Sequence, residues 1–281
     1  MWAGGLMRRC LLMVLALLGL ALPLAARAQA RATDFSNWAA VVVAADWRAH
    51  DGSDAPIFDN ARRDVVQLLQ RQGFRAGNIA QMTSASSPDE GVALTSFGGL
   101  LEALERTTAQ APAGCLIYFS SHGSPQGIVF GRTQALTPDR LAAALGRYCA
   151  GRPTIAVISA CFSGVFVPAL AAENRMVLTA ARPDRTSFGC GATNRYPYFD
   201  ECVLQVGPNS ADWPALGEAA QTCVAMREAA EGLSPPSEPQ LSVGSGVAPL
   251  ITGGRLRSAV QADAFAGSGG DGHPEGAGKE L

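Results

Sequence analysis

Two residues of this 281-residue chain have the types and neighbours that covalent catalysis needs: Cys161, in Ser159-Ala160-Cys161-Phe162-Ser163-Gly164, and His122, in Ser120-Ser121-His122-Gly123. A thiol becomes a working nucleophile when a nearby base or cation holds it as thiolate, and acyl transfer also needs backbone N–H groups aimed at the developing oxyanion. Of the three histidines, His273 lies in a polar terminal stretch and His50 in a loop, which leaves His122 as the best-placed base. The N–H groups of Gly123 and Cys161 are candidates for an oxyanion hole. Gly123 would let a substrate carbonyl approach the backbone, while Ser163 and Gly164 would keep the turn after the cysteine open. Asp46 is placed to orient the imidazole as the acid of a Cys-His-acid arrangement. A strand-end cysteine is also commonly a small buried hydrophobe, a histidine a merely hydrogen-bonded ring, and a loop carboxylate a cap. Residue type alone leaves those readings open.

The elements that must position these groups are legible as hydrophobic patterns. Near-continuous apolar runs at 39–45, 115–119, 154–158 and 176–180 read as strands buried on both faces. Between them Phe58, Ala61, Val65, Leu68 and Leu69 recur at helical spacing and stop at Gly73; Phe97, Leu100, Leu101 and Leu104 repeat the pattern. Thr137-Pro138 opens a third helix with Leu141, Leu145 and Tyr148 on one face. Such alternation predicts an α/β fold, a mostly parallel sheet flanked by helices on both faces. Ligands bind such sheets beyond the carboxyl ends of the strands, and Asp46, His122 and Cys161 all stand just past such ends. A further helix is expected over about 212–231, then a Pro-rich turn and a last short segment near 240–252. Trp38 and Trp47 read as packing residues flanking the first strand.

Arg8-Arg9 before an apolar run from Leu11 to Leu24, followed by Ala28-Gln29-Ala30, has the layout of a signal peptide over residues 1–30. The run is shorter than the roughly 18–20 residues that span a bilayer, so the expectation is an exported protein, periplasmic or secreted, without stable membrane insertion after cleavage. Residues 31–262 are then expected to form one domain and 263–281 a disordered Gly-rich tail. A net charge of −2 and a pI near 5.9 give no electrostatic footprint for nucleic acid. Outside the leader the cysteines are Cys115, Cys149, Cys161, Cys190, Cys202 and Cys223, with no C-x-x-C spacing of a zinc or redox site, so no metal and no organic cofactor are expected. With Cys161 reactive, at least one other thiol stays unpaired. Cys190 and Cys202 bracket a loop and are one possible disulfide, which spacing alone does not decide.

The stretches Tyr118-Phe119-Ser120-Ser121-His122-Gly123-Ser124 and Ile158-Ser159-Ala160-Cys161-Phe162-Ser163-Gly164 resemble the histidine strand end and the nucleophile turn of the legumain family of cysteine peptidases, in the caspase-like clan. Thr179-Ala180-Ala181-Arg182-Pro183, Thr186-Ser187-Phe188-Gly189-Cys190 and Tyr198-Phe199-Asp200 extend the resemblance, which runs from about Trp38 to Gln205 and is nearest to bacterial exported members. It implies a caspase-like fold and a cysteine endopeptidase acting on peptides or proteins. Cys161 would form the acyl-enzyme, His122 serve as general acid and base, and Gly123 line the oxyanion hole. Asp46 falls where legumains carry the asparagine that orients the histidine. The specificity pocket departs from the family. Ser159 stands at its glutamate position and Asn60 at its arginine position, while Thr186 or Ser187 and Asp200 stand for its serine and aspartate. Asparagine specificity therefore does not transfer. An unpaired Asp200 would favour a basic or amide side chain before the scissile bond, with Arg62 or Arg63 as cations that could reach the pocket. A transpeptidase or transamidase of the same family is the alternative enzyme, and a catalytically inactive caspase-like binding domain the alternative outside enzymes.

Overall fold

The Val41-Val42-Val43 centre of the first strand has no polar face to offer water, and the structure, a computed structural model describing residues 33–49 and 51–252, covers it on both sides. The expected leader and the expected tail lie outside the described residues. In chain order the strands are β1 (Trp38–Ala44), β2 (Ile79–Thr83), β3 (Ala93–Leu94), β4 (Gly114–Ser120), β5 (Gly123–Ser124), β6 (Gly127–Phe130), β7 (Gln134–Leu136), β8 (Thr154–Ser159), β9 (Arg175–Thr179) and β10 (Gln240–Val243). The main sheet has the order β10-β9-β8-β4-β1-β2-β3, all parallel except β10 against β9. A small antiparallel sheet, β5-β6-β7, follows directly from the end of β4.

The helices are α1 (Ile57–Arg71), α2 (Phe97–Gln110), α3 (Pro138–Tyr148), α4 (Val167–Leu170), α5 (Tyr198–Val206), α6 (Trp213–Ala230) and α7 (Ala248–Ile251). Alternate strand residues sort onto the two faces. Val42, Tyr118, Val157 and Leu178 pack with Leu68, Phe199 and Leu216 of α1, α5 and α6. Val43, Ile117, Phe119 and Ile158 pack with Leu100, Leu104, Leu141 and Leu145 of α2 and α3. Each such side chain contributes about 1.5–3 kcal/mol by burial, so the central strands are the rigid frame from which the site hangs. Ser96, Thr137 and Asp212 cap α2, α3 and α6, each accepting a backbone N–H.

Two disulfides brace this frame. Cys115–Cys149 ties the start of β4 to the residue after α3, and Cys202–Cys223 ties α5 to α6. The pairing of Cys190 with Cys202 is thereby corrected: α5 and α6 pack side by side and bring the Cα atoms of Cys202 and Cys223 to 5.7 Å, while Cys190 stays a thiol. No helix among the described residues is long and apolar enough to cross a membrane.

Candidate active site

The parallel ladder places the two reactive groups. β4 and β8 pair in register with Ser120 opposite Ser159, so His122 and Cys161 each stand two residues beyond the same rung. The ladder continues past the strands: Ala45 N–H donates to the Ser120 carbonyl at 2.9 Å, and Ser121 N–H to the Ser159 carbonyl at 3.0 Å. A Cβ on Gly123 would overlap the Cys161 carbonyl oxygen. Glycine is therefore required there, because the Cys161 backbone occupies the space a side chain would take.

The nucleophile turn is held from outside. Phe162 adopts a left-handed conformation, φ 57°, which a bulky side chain takes only when its surroundings enforce it. Its N–H donates to the Arg185 carbonyl at 2.8 Å, and a Cβ on Gly164 would lie 2.5 Å from the Pro183 nitrogen. Gly164 thus admits the 181–187 segment against the turn rather than keeping the turn open. That segment delivers Ser187, whose N–H points at the Cys161 sulfur at 3.3 Å and whose Oγ lies 3.5 Å from it. Thr186 beside it is exposed.

His122 is positioned by backbone and by an aromatic edge. Its Nε2 lies 3.0 Å from the Arg48 carbonyl oxygen, and Phe58 stacks edge-on at 5.1 Å. A carbonyl only accepts, so Nε2 carries the proton and the Nδ1 lone pair is the basic site of the neutral ring. This corrects the direct role expected of Asp46. The Oδ1 of Asp46 accepts the N–H groups of Trp47 (2.8 Å) and Arg48 (3.2 Å) and the Arg48 Nε (3.3 Å), while its buried Oδ2 has no hydrogen-bond partner among the described residues. Asp46 shapes the loop that carries the orienting carbonyl; the carbonyl meets the ring. Asp46, Arg48, Ala49, His122 and Gly123 line a cleft of about 340 Å3. Trp38 is buried against Phe35 as expected, whereas Trp47 is half-exposed with the guanidinium groups of Arg48 and Arg132 over its ring.

The expected pocket residues divide. Asp200 is fully buried, and its carboxylate accepts the hydroxyls of Tyr118 (2.5 Å), Ser120 (2.6 Å) and Ser159 (2.8 Å). Burial pushes its carboxyl up to about 6, against the three hydroxyl donors that pull it down. An open, unpaired Asp200 at a pocket floor is therefore corrected, and with it the basis for a basic or amide preference. Asn60 donates to the Arg195 carbonyl at 3.1 Å, holding the 188–197 loop on α1. Arg62 and Arg63 turn away, to Asp59 and Asp89, with Arg62 also bonded to Gln81.

Sequence reasoning missed the Arg48 carbonyl, which has no side-chain signature, and the position of Cys190. That thiol packs against Ala49, Ala55, Ile57 and Phe58 beside the imidazole. Burial, then the neighbouring Cys161, Asp200 and Asp46, push it far above the usual thiol range. Among the described residues no cluster of histidine, cysteine and carboxylate side chains could hold a metal ion.

Residues 109–211, which contain the histidine strand end, the nucleophile turn and Asp200, match the model of the Peptidase C13 family. Among solved structures the chain is similar to caspase-1 from Spodoptera frugiperda, with a TM-score of 0.54 and 15% sequence identity over 77% of this chain and 90% of that one. No curated protein matches the chain. Its sheet with helices on both faces is the caspase-like fold, and the family match across the paired strand ends supports a legumain-family protein.

Proposed function

We propose that this cysteine peptidase is an exported endopeptidase using Cys161 as nucleophile and His122 as general base and acid. The observation that carries the reading is the shared rung: Ser120 pairs with Ser159, so both reactive side chains leave the sheet at the same level from adjacent strands. The Nδ1 of His122 takes the thiol proton, and the sulfur attacks the carbonyl carbon of a peptide bond. The oxyanion is met by the N–H groups of Cys161 and Gly123. The protonated imidazole then gives its proton to the leaving amine, which breaks the C–N bond and leaves a thioester. Water, losing a proton to the same nitrogen, attacks the thioester, releases the carboxylic acid and restores the thiol. The Arg48 carbonyl supports the imidazolium through Nε2 at 3.0 Å. Export is supported by the leader-like first 30 residues and by two disulfides, bonds that persist in oxidising compartments.

Peptidyl acyloxymethyl-ketone probes varied at the residue next to the warhead test this, read by intact mass on the wild type and on Cys161→Ala. The expected result is a single adduct on Cys161 that the substitution abolishes, with cleavage of a denatured protein substrate lost in parallel. A folded wild type that neither takes a probe nor cleaves would support the inactive binding domain instead.

A further inference from the structure

Among the described residues, Asp200 is the one carboxylate that reaches both strands of the reactive pair. Its Oδ2 accepts Ser120 Oγ from β4 at 2.6 Å and Ser159 Oγ from β8 at 2.8 Å, and its Oδ1 accepts Tyr118 at 2.5 Å. Ser120 and Ser159 are the last paired rung of those strands, two residues before His122 and Cys161. No described cation is among its hydrogen-bond partners, and the group is fully sealed from solvent. A buried carboxylate without a countercharge is costly to keep, and a pocket floor that binds substrate would have to be open. A single oxygen bonded across two strands constrains their separation and twist at the point where the ladder gives way to the turns.

We infer that Asp200 is a positioning residue: anchored on α5, it clamps the ends of β4 and β8 through Ser120 and Ser159 and so sets the approach of His122 to Cys161. It does not touch substrate. The inference rests on Cys161 and His122 being the reacting pair. The path is short. The clamp fixes the rung, Ser121 N–H continues it to the Ser159 carbonyl, and the Gly123 backbone then closes on the Cys161 carbonyl. Loosening the rung shifts the imidazole relative to the sulfur without altering the walls of the cleft.

The test compares wild type, Asp200→Asn and the double variant Ser120→Ala/Ser159→Ala. Three quantities are read: the pH dependence of Cys161 alkylation by iodoacetamide, kcat and KM on peptides varied at the residue before the scissile bond, and Tm. Asparagine keeps the size and one acceptor oxygen, and the serine hydroxyls can turn to accept from its amide. The expected result for Asp200→Asn is a kcat lower by about 10- to 100-fold, as small misplacements of reacting groups produce. KM should stay within about twofold with the residue preference unchanged, and the pH profile of Cys161 alkylation should differ from the wild type's, because the imidazole's approach to the sulfur has changed. The double variant, which retains the Tyr118 bond, is expected to follow in the same direction and decides the matter if Asp200→Asn does not fold. An unchanged alkylation profile and kcat would overturn the inference, as would an altered residue preference with kcat retained, which would return Asp200 to the substrate pocket. A wild type that cleaves no peptide while iodoacetamide still alkylates Cys161 would sink the endopeptidase reading alone, because the alkylation profiles of the variants still decide the clamp.

Discussion

Asp46 and Asp200 are both buried carboxylates at the carboxyl edge of the sheet, and their surroundings differ in kind. Asp46 follows β1, accepts two backbone N–H groups and the Arg48 guanidinium on one oxygen, and leaves the other oxygen without a hydrogen bond from any described residue. Asp200 has both oxygens engaged, by neutral hydroxyls only. Backbone donors and a cation suit a permanent negative charge. Hydroxyls also serve a protonated carboxyl, because each can turn from donor to acceptor. One carboxylate thus shapes a loop through backbone donors and a cation, and the other clamps two strands through hydroxyls, although both stand at the same edge of the sheet.

The sharpest break of this comparison is stability against pH. Between its ordinary 3.8 and about 6, the folded chain holds the Asp200 proton while the unfolded chain has released it. Folding therefore takes up a proton in that window, and stability rises as pH falls from about 7 to about 4. The size is about 3 kcal/mol at most. Exposed acids held low by arginines, such as Asp89 beside Arg63 and Arg62, work in the opposite sense, but surface pairs contribute under about 1 kcal/mol each. Urea unfolding from pH 4 to 7 on wild type and Asp200→Asn isolates the Asp200 contribution as the difference between the two curves. Parallel curves would show that the buried carboxyl does not titrate in this range.

Removing one clamp donor is a smaller step. Tyr118→Phe deletes a bond that holds the Asp200 carboxyl down, so the midpoint of that pH-dependent stability should move above about 6, with a loss of about 1–2 kcal/mol at neutral pH. On the other side, Asp46→Ala frees two N–H groups and a half-exposed arginine at the cost of about 1 kcal/mol. Its kcat should fall, because the Arg48 carbonyl loses its fixed place against Nε2. An Asp46→Ala enzyme with unchanged kcat would show that the loop holds its shape without the carboxylate.

Sequence legibility follows burial. β1, β4, β8 and β9 are readable because helices cover both faces, so Val41-Val42-Val43 or Ile155-Ala156-Val157 carries no polar interruption. β2 is not, because Gln81 interrupts Ile-Ala-Gln-Met-Thr to receive Arg62, and β10 is half-buried at the sheet edge with Ser242 in its middle. The β5-β6-β7 sheet consists of strands of two to four residues, too short for a period to register. At the site, Cys161 and His122 stand out by residue type and strand-end position. Their supports do not, since the Arg48 carbonyl is backbone, Ser187 arrives from a loop, and the clamp joins Tyr118, Ser120, Ser159 and Asp200 across 82 positions of sequence. The resemblance to legumains located Asp200 but assigned it the wrong surroundings, because sequence position does not report whether a carboxylate faces a pocket or three hydroxyls.

Cys190 gives the finest measure of the comparison because it feels both acids. Burial is the first cause of its raised thiol, followed by Cys161, Asp200 and Asp46 in that order. Alkylation requires the thiolate, so iodoacetamide at pH 8.5 should modify Cys161 at least about tenfold faster than Cys190. Replacing either acid by its amide removes a negative neighbour and should speed Cys190 slightly, with Asp200→Asn giving the larger increment and Asp46→Asn the smaller. Tandem mass spectrometry of the two modified peptides over time gives both rates from one sample. Equal labelling of Cys161 and Cys190 in the wild type would mean that the 188–197 loop lifts off α1 often enough to expose the thiol. The bonds from Asn60 to the Arg195 carbonyl and from the Tyr196 hydroxyl to Asp64 would then be too weak to hold the loop down.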